Sequence, residues 1–284
     1  MSSVRMVLPK GRTLDGVVGL LNDSGKTVVA NSRHYVPSIA DEELEAKIMK
    51  PQNVAPLVER GAYDIGFTGR DWVVETGAEV IEILDLGLDP VRIVAAIPES
   101  EDETEVFRRR LVVATEYTNI AGRFLRDRGC DFLLLRTQGA SEAFPPEDAD
   151  MIIDNTATGQ TLKEHRLKIV AEILASSTRF IANPAALADA SKREKIEELT
   201  MLFAAVLNAR ARVMLEMNVP PDKLETVVRI LPCMRSPTVS PLYGEAGFAV
   251  KAAVKREEAA RLIPLLKKMG ATDILEYSFR KVVL

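Results

Sequence analysis

The chain has 284 residues, 47% hydrophobic and 27% charged, a balance ordinary for a soluble globular protein of about two domains or three small ones. A net charge of −4 argues against a broad nucleic-acid footprint but leaves room for anionic ligands in a locally basic cleft. Cys130 and Cys233 lie far apart, which fits a reduced cytoplasmic chain, and His34 and His165 are too few for a His-rich zinc site. The N-terminus lacks the apolar run of a signal peptide, and no stretch approaches the ~20 apolar residues that span a bilayer.

Short apolar runs alternate with helical patterns over residues 1–90, which predicts α/β layers. Val4–Leu8 reads as a strand, and Thr13–Ser24 as a helix with Leu14, Val17, Val18 and Leu21 on one face and Gly25 at its stop. Glu43–Met49 is a second strand. Pro51 opens a helix that ends at Gly61, and Tyr63–Thr68 is a strand running into a helix that starts at Gly69-Arg70-Asp71. Val91–Ile97 begins another α/β unit. The charged stretch Glu99–Arg110 reads as a solvated face without a functional role. Strand Leu111–Ala114, helix Asn119–Arg128, strand Phe132–Leu135 and strand Asp150–Ile153 follow. A long helical stretch covers Ala185–Met217 and stops before Pro220-Pro221. Beyond it the pattern predicts helix Asp222–Ile230, one more strand over Thr238–Tyr243, strand Phe248–Val254, helix Glu257–Met269 and strands Asp273–Tyr277 and Arg280–Val283. That order suits a small α+β module of ferredoxin-like type.

Three turns carry chemistry. Met151–Leu162 is an apolar strand, then a turn rich in hydroxyls and glycine, then a helix start. Backbone N–H groups and the dipole at a helix start favour anions, and Gly159 permits a close backbone approach. The hydroxyls of Thr156, Thr158 and Thr161 can donate to phosphate oxygens, while Asp154 can hold sugar hydroxyls or a magnesium ion. The bland alternative is an ordinary strand–turn–helix with a Thr N-cap. Leu8-Pro9-Lys10-Gly11-Arg12 sets two cations at the C-terminal end of a strand, where ligands of open α/β sheets gather; solvated cations at a turn are the alternative. Gly66–Trp72 is a second such turn, fit for a base or ribose, unless Arg70 and Asp71 are a first-turn pair; Trp72 is read as core. Together these turns imply a ligand cleft between two lobes.

Taken together, these residues resemble the ATP phosphoribosyltransferase family. The matching segments are Leu8–Arg12, Asp64–Asp71, Leu84–Gly87, Ala114–Asn119, Asp154–Leu162, Met217–Pro220, Leu231-Pro232, Ser236–Leu242 and Gly270-Ala271. They span nearly the whole chain, and the C-terminal ones make it look like the long form. The resemblance implies a reaction of ATP with phosphoribosyl pyrophosphate (PRPP), in which adenine N1 attacks the anomeric carbon and pyrophosphate leaves with Mg2+. It implies a two-lobed, periplasmic-binding-protein-like catalytic core: lobe I over 1–90, completed by about 184–211, and lobe II over 91–183. A C-terminal ferredoxin-like domain over 212–284 would bind histidine as a feedback inhibitor, in a homo-oligomer from dimer to hexamer. By resemblance, Ala157, Thr158, Gly159, Gln160 and Thr161 hold the 5-phosphate of PRPP, and Asp154 the ribose hydroxyls. Glu142 joins Asp154 or helps with the metal, while Lys10 and Arg12 face the pyrophosphate. Lys50, Arg70 and Asp71 are candidates for the ATP side, and Asn218, Ser236, Thr238 and Asp273 for histidine. Mg2+ would be held mainly through substrate phosphates.

Two departures stand out. The family usually has a glycine just before the Ala-Asp ahead of the loop strand, where this chain has Glu147-Asp148 after Pro145-Pro146. Some long-form members carry aspartate where Asn218 stands; asparagine keeps an oxygen acceptor but loses the charge that attracts an ammonium group. Two other classes stay open on fold analogy alone: a cytoplasmic solute-binding or sensor protein, and an amino-acid-responsive regulator. Lys10 with the Thr-rich loop favours the enzyme.

Overall fold

The computed structural model describes residues 3–29 and 35–284, so His34 lies outside the described residues. They form two compact units, one of residues up to Asn22 with Lys26–Glu197, the other of Asp23–Gly25 with Glu198–Leu284.

The first unit runs β1 (Val4–Pro9), α1 (Arg12–Asp23), β2 (Val28–Val29), β3 (Ser38–Ile39), β4 (Leu44–Met49), α2 (Pro51–Glu59), β5 (Ile65–Gly69), α3 (Arg70–Thr76) and β6 (Ile81–Asp85). It continues with β7 (Val91–Pro98), α4 (Glu103–Val106), β8 (Leu111–Thr115), α5 (Thr118–Asp127), β9 (Phe132–Arg136), β10 (Met151–Thr156), α6 (Gln160–Glu164), β11 (Leu167–Ser176), β12 (Thr178–Ala182) and α7 (Pro184–Ala188). Helix α8 (Ala190–Arg210) starts in this unit and ends in the second.

Two five-stranded sheets result, ordered β4-β1-β5-β12-β6 and β11-β7-β10-β8-β9. In the first, β1 runs parallel to β4 and β5, while β12 runs antiparallel to β5 and β6. In the second, β8 is parallel to β9 and β10, and β7 is antiparallel to β10 and β11. The apolar run of β1 is buried nearly throughout, as expected for a strand covered on both faces. Helix α2 starts on Pro51, whose fixed φ suits the first helical turn, and packs closely on β5. A Cβ on Gly66 would come within 2.8 Å of methyls of Val54 and Val7. Helix α3 stops at Gly77, in the left-handed conformation that glycine adopts without strain. Its Trp72 and Val74 pack against the core of the second sheet, built from residues such as Ile93, Leu111, Phe124 and Ile153.

The second unit contains β13 (Arg212–Val219), α9 (Leu224–Ile230), β14 (Thr238–Pro241), β15 (Phe248–Lys255), α10 (Arg256–Lys268) and β16 (Thr272–Ser278). The strands form one antiparallel sheet in the order β14-β15-β13-β16. Val213, Leu215, Met217 and Val219 of β13 share a core with Val227 of α9 and with Leu262 and Leu266 of α10. No helix among the described residues is long and apolar enough to cross a membrane.

Several expectations are corrected. The single helix over Ala185–Met217 is instead α7, α8 and the strand β13. From Arg212 on, burial alternates residue by residue, the period of a strand with one covered face. Arg280–Val283 forms no strand; the Val282 N–H donates to the Ala205 carbonyl at 2.9 Å. Strands β6, β11 and β12 are additions. Strand β10 runs past Ile153 to Thr156, so Asp154 lies within the ladder, paired with Val94. The solvated stretch Glu99–Arg110 contains the short α4, capped by the Asp102 carboxylate, which accepts from the amides of Thr104 and Glu105.

Candidate active site

Strand β10 and the loop after it build the floor of a polar cavity of about 380 Å3. Asp154, Ala157, Thr158, Gln160 and Thr161 line it, with Glu142 and Ser141 from the 3-10 turn Ser141–Ala143 and with Arg12 from the start of α1. The loop is shaped by its own hydroxyls. Thr156 Oγ1 accepts from the Gly159 N–H at 2.9 Å, and Thr158 Oγ1 accepts from the Gln160 N–H at 3.3 Å. Gly159 has φ 79°, where an L side chain is strained although space is open around it. Because α6 has only five residues, its dipole contributes little, and the cradle rests on loop amides and hydroxyls.

Asp154 is one of three carboxylates in this cavity, with Glu116 and Glu142. Burial pushes its carboxyl up; a hydrogen bond from the Ser141 hydroxyl and one from the Asn155 N–H at 2.6 Å oppose this, while the negative charges of Glu116 and Glu142 add to it. Arg12 is exposed and lies 3.6 Å from Asp89, so its guanidinium stays at the cavity wall. Lys10 is placed differently. Its ammonium lies 5.2 Å from the centre of the Tyr35 ring, and it does not line this cavity. The Pro145–Pro146 peptide, in the connection that departs from the family pattern, is cis.

A second polar cavity of about 460 Å3 is lined by Lys50, Gln52, Trp72, Glu116, Asn119 and Arg136, among others. Glu116 therefore borders both cavities. Lys50 stands at the N-cap of α2. Arg70 is exposed at the first position of α3, its N–H donating to the Ser177 carbonyl at 3.1 Å, and it lines none of the cavities described here.

Asp71 is buried, at 4% exposure, beside a small cavity of about 110 Å3. It accepts from the Ser176 hydroxyl at 2.6 Å and from the Tyr117 hydroxyl at 2.8 Å. Burial, then the Asp71 charge, push the Tyr117 hydroxyl far above its ordinary range, so it stays a neutral donor. Glu75, also buried, caps α5 by accepting from the amides of Asn119 and Ile120 at about 3 Å.

Sequence reasoning missed Ser141, Asn155 and Arg136. Glu116 and Tyr117 lay inside a quoted matching segment without a role. Ser141 and Arg136 carry no local signal, since they reach the site only through the fold.

In the second unit, Asn218 and Asp273 meet: Asn218 Nδ2 donates to Asp273 Oδ2 at 2.9 Å, as does the Thr272 hydroxyl at 2.9 Å. The Asn218 bond, then the Thr272 bond, hold the Asp273 carboxyl below its ordinary range. Thr238 lies on β14 opposite Lys251, and Ser236 is exposed just before that strand. Lys251 in turn lies 3.1 Å from Glu216.

Comparison with known proteins gives a consistent result. The family model described as ATP phosphoribosyltransferase matches residues 50–205, and that described as the HisG C-terminal domain matches 209–281. The chain is 40% identical to an ATP phosphoribosyltransferase of Chlorobium phaeovibrioides, covering 99% of this chain and 97% of that one. It is 38% identical to an ATP phosphoribosyltransferase of Desulforudis audaxviator, covering 99% of each. A solved structure, the ATP phosphoribosyl transferase (HisG:HisZ) complex from Thermotoga maritima, is similar with TM-score 0.63 and 26% identity, over 70% of this chain and 98% of that chain.

Proposed function

The chain belongs to the ATP phosphoribosyltransferase family, whose reaction opens histidine biosynthesis, and on that premise we propose that the β10 cavity holds PRPP and the neighbouring cavity holds ATP. The observation that carries this reading is one cavity that brings Arg12, Glu142 and Asp154 together with Ala157, Thr158, Gln160 and Thr161 of the loop, Gly159 lying outside its lining. Loop amides and the Thr158 and Thr161 hydroxyls take the 5-phosphate, and Asp154 takes ribose hydroxyls. Arg12 meets the pyrophosphate, and Lys10, on the same turn but over Tyr35 in this structure, would join it only by swinging toward the cavity. Lys50 stands on the ATP side, with Glu116 between the two substrates; Arg70 and Asp71, at the start of α3 that also carries Trp72 and Glu75 of that cavity, lie outside its lining.

In the reaction a bond forms from adenine N1 to the anomeric carbon. The bond from that carbon to pyrophosphate breaks, and pyrophosphate leaves with the electron pair. Carboxylates near a cationic sugar centre and cations near the leaving group stabilise the charges that develop. Mg2+ would be held mainly through the substrate phosphates, where it would neutralise charge on the leaving pyrophosphate. Holding both substrates in adjoining cavities supplies rate through positioning.

The finer fold reading is a periplasmic-binding-protein-like core with a ferredoxin-like C-terminal domain; the strand order β14-β15-β13-β16 supports the latter. That domain binds histidine as inhibitor through Asn218, Ser236, Thr238 and Asp273. The carboxylate that position 218 lacks stands beside it at Asp273. The enzyme works in the cytoplasm as a homo-oligomer. Incubation with ATP, PRPP, Mg2+ and pyrophosphatase tests the activity through the absorbance of phosphoribosyl-ATP; absence of product overturns it.

A further inference from the structure

Four side chains form an unbroken hydrogen-bonded line from α3 to the β10 cavity. The Tyr117 hydroxyl donates to Asp71 Oδ2 at 2.8 Å, and its oxygen accepts from Asn155 Nδ2 at 3.0 Å. The same Nδ2 donates to Asp154 Oδ1 at 3.1 Å. An amide NH2 has two hydrogens, and this geometry assigns one to Tyr117 and one to Asp154. Asp71 is fixed at the other end by Ser176, whose hydroxyl donates to Asp71 Oδ1 at 2.6 Å and accepts from the Asp71 N–H at 3.0 Å.

Packing alone does not require the phenol. Tyr117 is 1% exposed and its ring stacks on Trp72 with centroids 4.7 Å apart, contacts a phenylalanine would also make. A buried hydroxyl is costly unless its donor and acceptor are both used. Here both are used, and each leads toward a carboxylate.

We propose that Tyr117 is a positioning residue for Asp154: its hydroxyl pins the Asn155 amide, which turns the Asp154 carboxylate toward the ribose of the bound PRPP. This rests on the assignment of the β10 cavity to PRPP. In this role Tyr117 acts through the Asn155 amide, orienting the group that meets the ribose. Asp71, which sits on the ATP side in sequence, then acts as the anchor of the line.

The test is steady-state kinetics of Tyr117→Phe, which keeps the ring and removes the hydroxyl. The KM for PRPP rises about tenfold, the effect of one lost buried hydrogen bond, and more than the KM for ATP, which the loosened Asp71 shifts less. Asn155→Ala cuts the line one link nearer to Asp154 and produces the same selective rise. The double variant is no worse than the poorer single one, because both break one path. An unchanged KM for PRPP in Tyr117→Phe, an equal change for both substrates, or additive effects in the double variant overturns the role. Should Tyr117→Phe fail to fold, Asn155→Ala decides by the same criterion of a larger rise for PRPP. A wild type that forms no phosphoribosyl-ATP overturns the proposed function instead, so the two failures are distinguishable.

Discussion

The two units handle polar groups in opposite ways. In the first, the carboxylates of Asp71 and Glu75 are buried and Asp154 partly so, and each is met by several donors. In the second, Asn218 and Asp273 hydrogen-bond each other in the open, and Thr238 and Ser236 are exposed. A buried ionisable group is destabilising unless its partners are already in place, so the first arrangement fixes geometry before a ligand arrives. The exposed set costs little and fixes little. The contrast separates a set of carboxylates whose geometry is fixed within its unit from an exposed set that a ligand would have to organise.

Substitutions can break or sharpen that contrast. The largest effect belongs to Asp154→Asn, which should lower kcat/KM for PRPP by roughly 100-fold, measured by initial rates. It should also raise the thermal midpoint. The folded-state pKa of Asp154 is raised, so its ionised form destabilises the fold at neutral pH and that cost vanishes as the carboxyl protonates on acidification. The gain from asparagine should therefore be greatest above the folded pKa and absent below the ordinary aspartate range. No gain at neutral pH would mean that Asp154 is not strained by its site.

Next is Asp41, another carboxylate of the first unit. Burial pushes it up, but bonds from Lys26 and Lys195, at 2.7 and 2.9 Å, outweigh this and hold it at about 2. Its stabilisation should be present above the ordinary aspartate value and be lost as pH falls through about 2. Asp41→Asn should cost about 1–2 kcal/mol at neutral pH in urea melts, with the deficit disappearing in acid. Gly159→Ala should strain the loop by about 1–2 kcal/mol and weaken PRPP binding about tenfold by calorimetry, with ATP binding unaffected. Thr161→Ala, which removes one donor to the phosphate, should raise the KM for PRPP a few-fold, roughly the worth of one hydrogen bond, and leave the melting curve in place. The smallest effect falls in the second unit: Thr238→Ala should relieve histidine inhibition a few-fold, as expected for one exposed contact. Calorimetry that detects no histidine binding to the wild type would remove that role altogether.

The sequence shows most of the layered first unit because its glycines and prolines punctuate it: Pro51 starts α2 and Gly77 stops α3. It hides β11 because two irregularities, between Ile169 and Ala171 and between Glu172 and Leu174, break the period of two by which a strand is recognised. Strand β13 follows a true helix and contains good helix formers; only its pairing with β15 and β16 decides its state. The loop after β10 was legible because its hydroxyls and glycine are contiguous in the chain. The line through Tyr117 was not, since Asp71, Tyr117 and Asn155 come from three elements and nothing local marks their meeting.

Strand β11 ends at Ser176 and β12 begins at Thr178, so a single residue carries the chain from one sheet to the other. Among the described residues the only other crossing within the unit is the connection from β6 to β7, residues 86–90, and the two crossings are cross-tied. The Thr178 N–H donates to the Leu88 carbonyl at 2.9 Å, the Leu86 N–H to the Thr178 carbonyl at 3.0 Å, and the Ser177 hydroxyl to Asp85 at 2.6 Å. Few soft torsions then remain between the sheets, which disfavours sliding. Rotation about that short junction is then the motion by which the two polar cavities would widen or narrow.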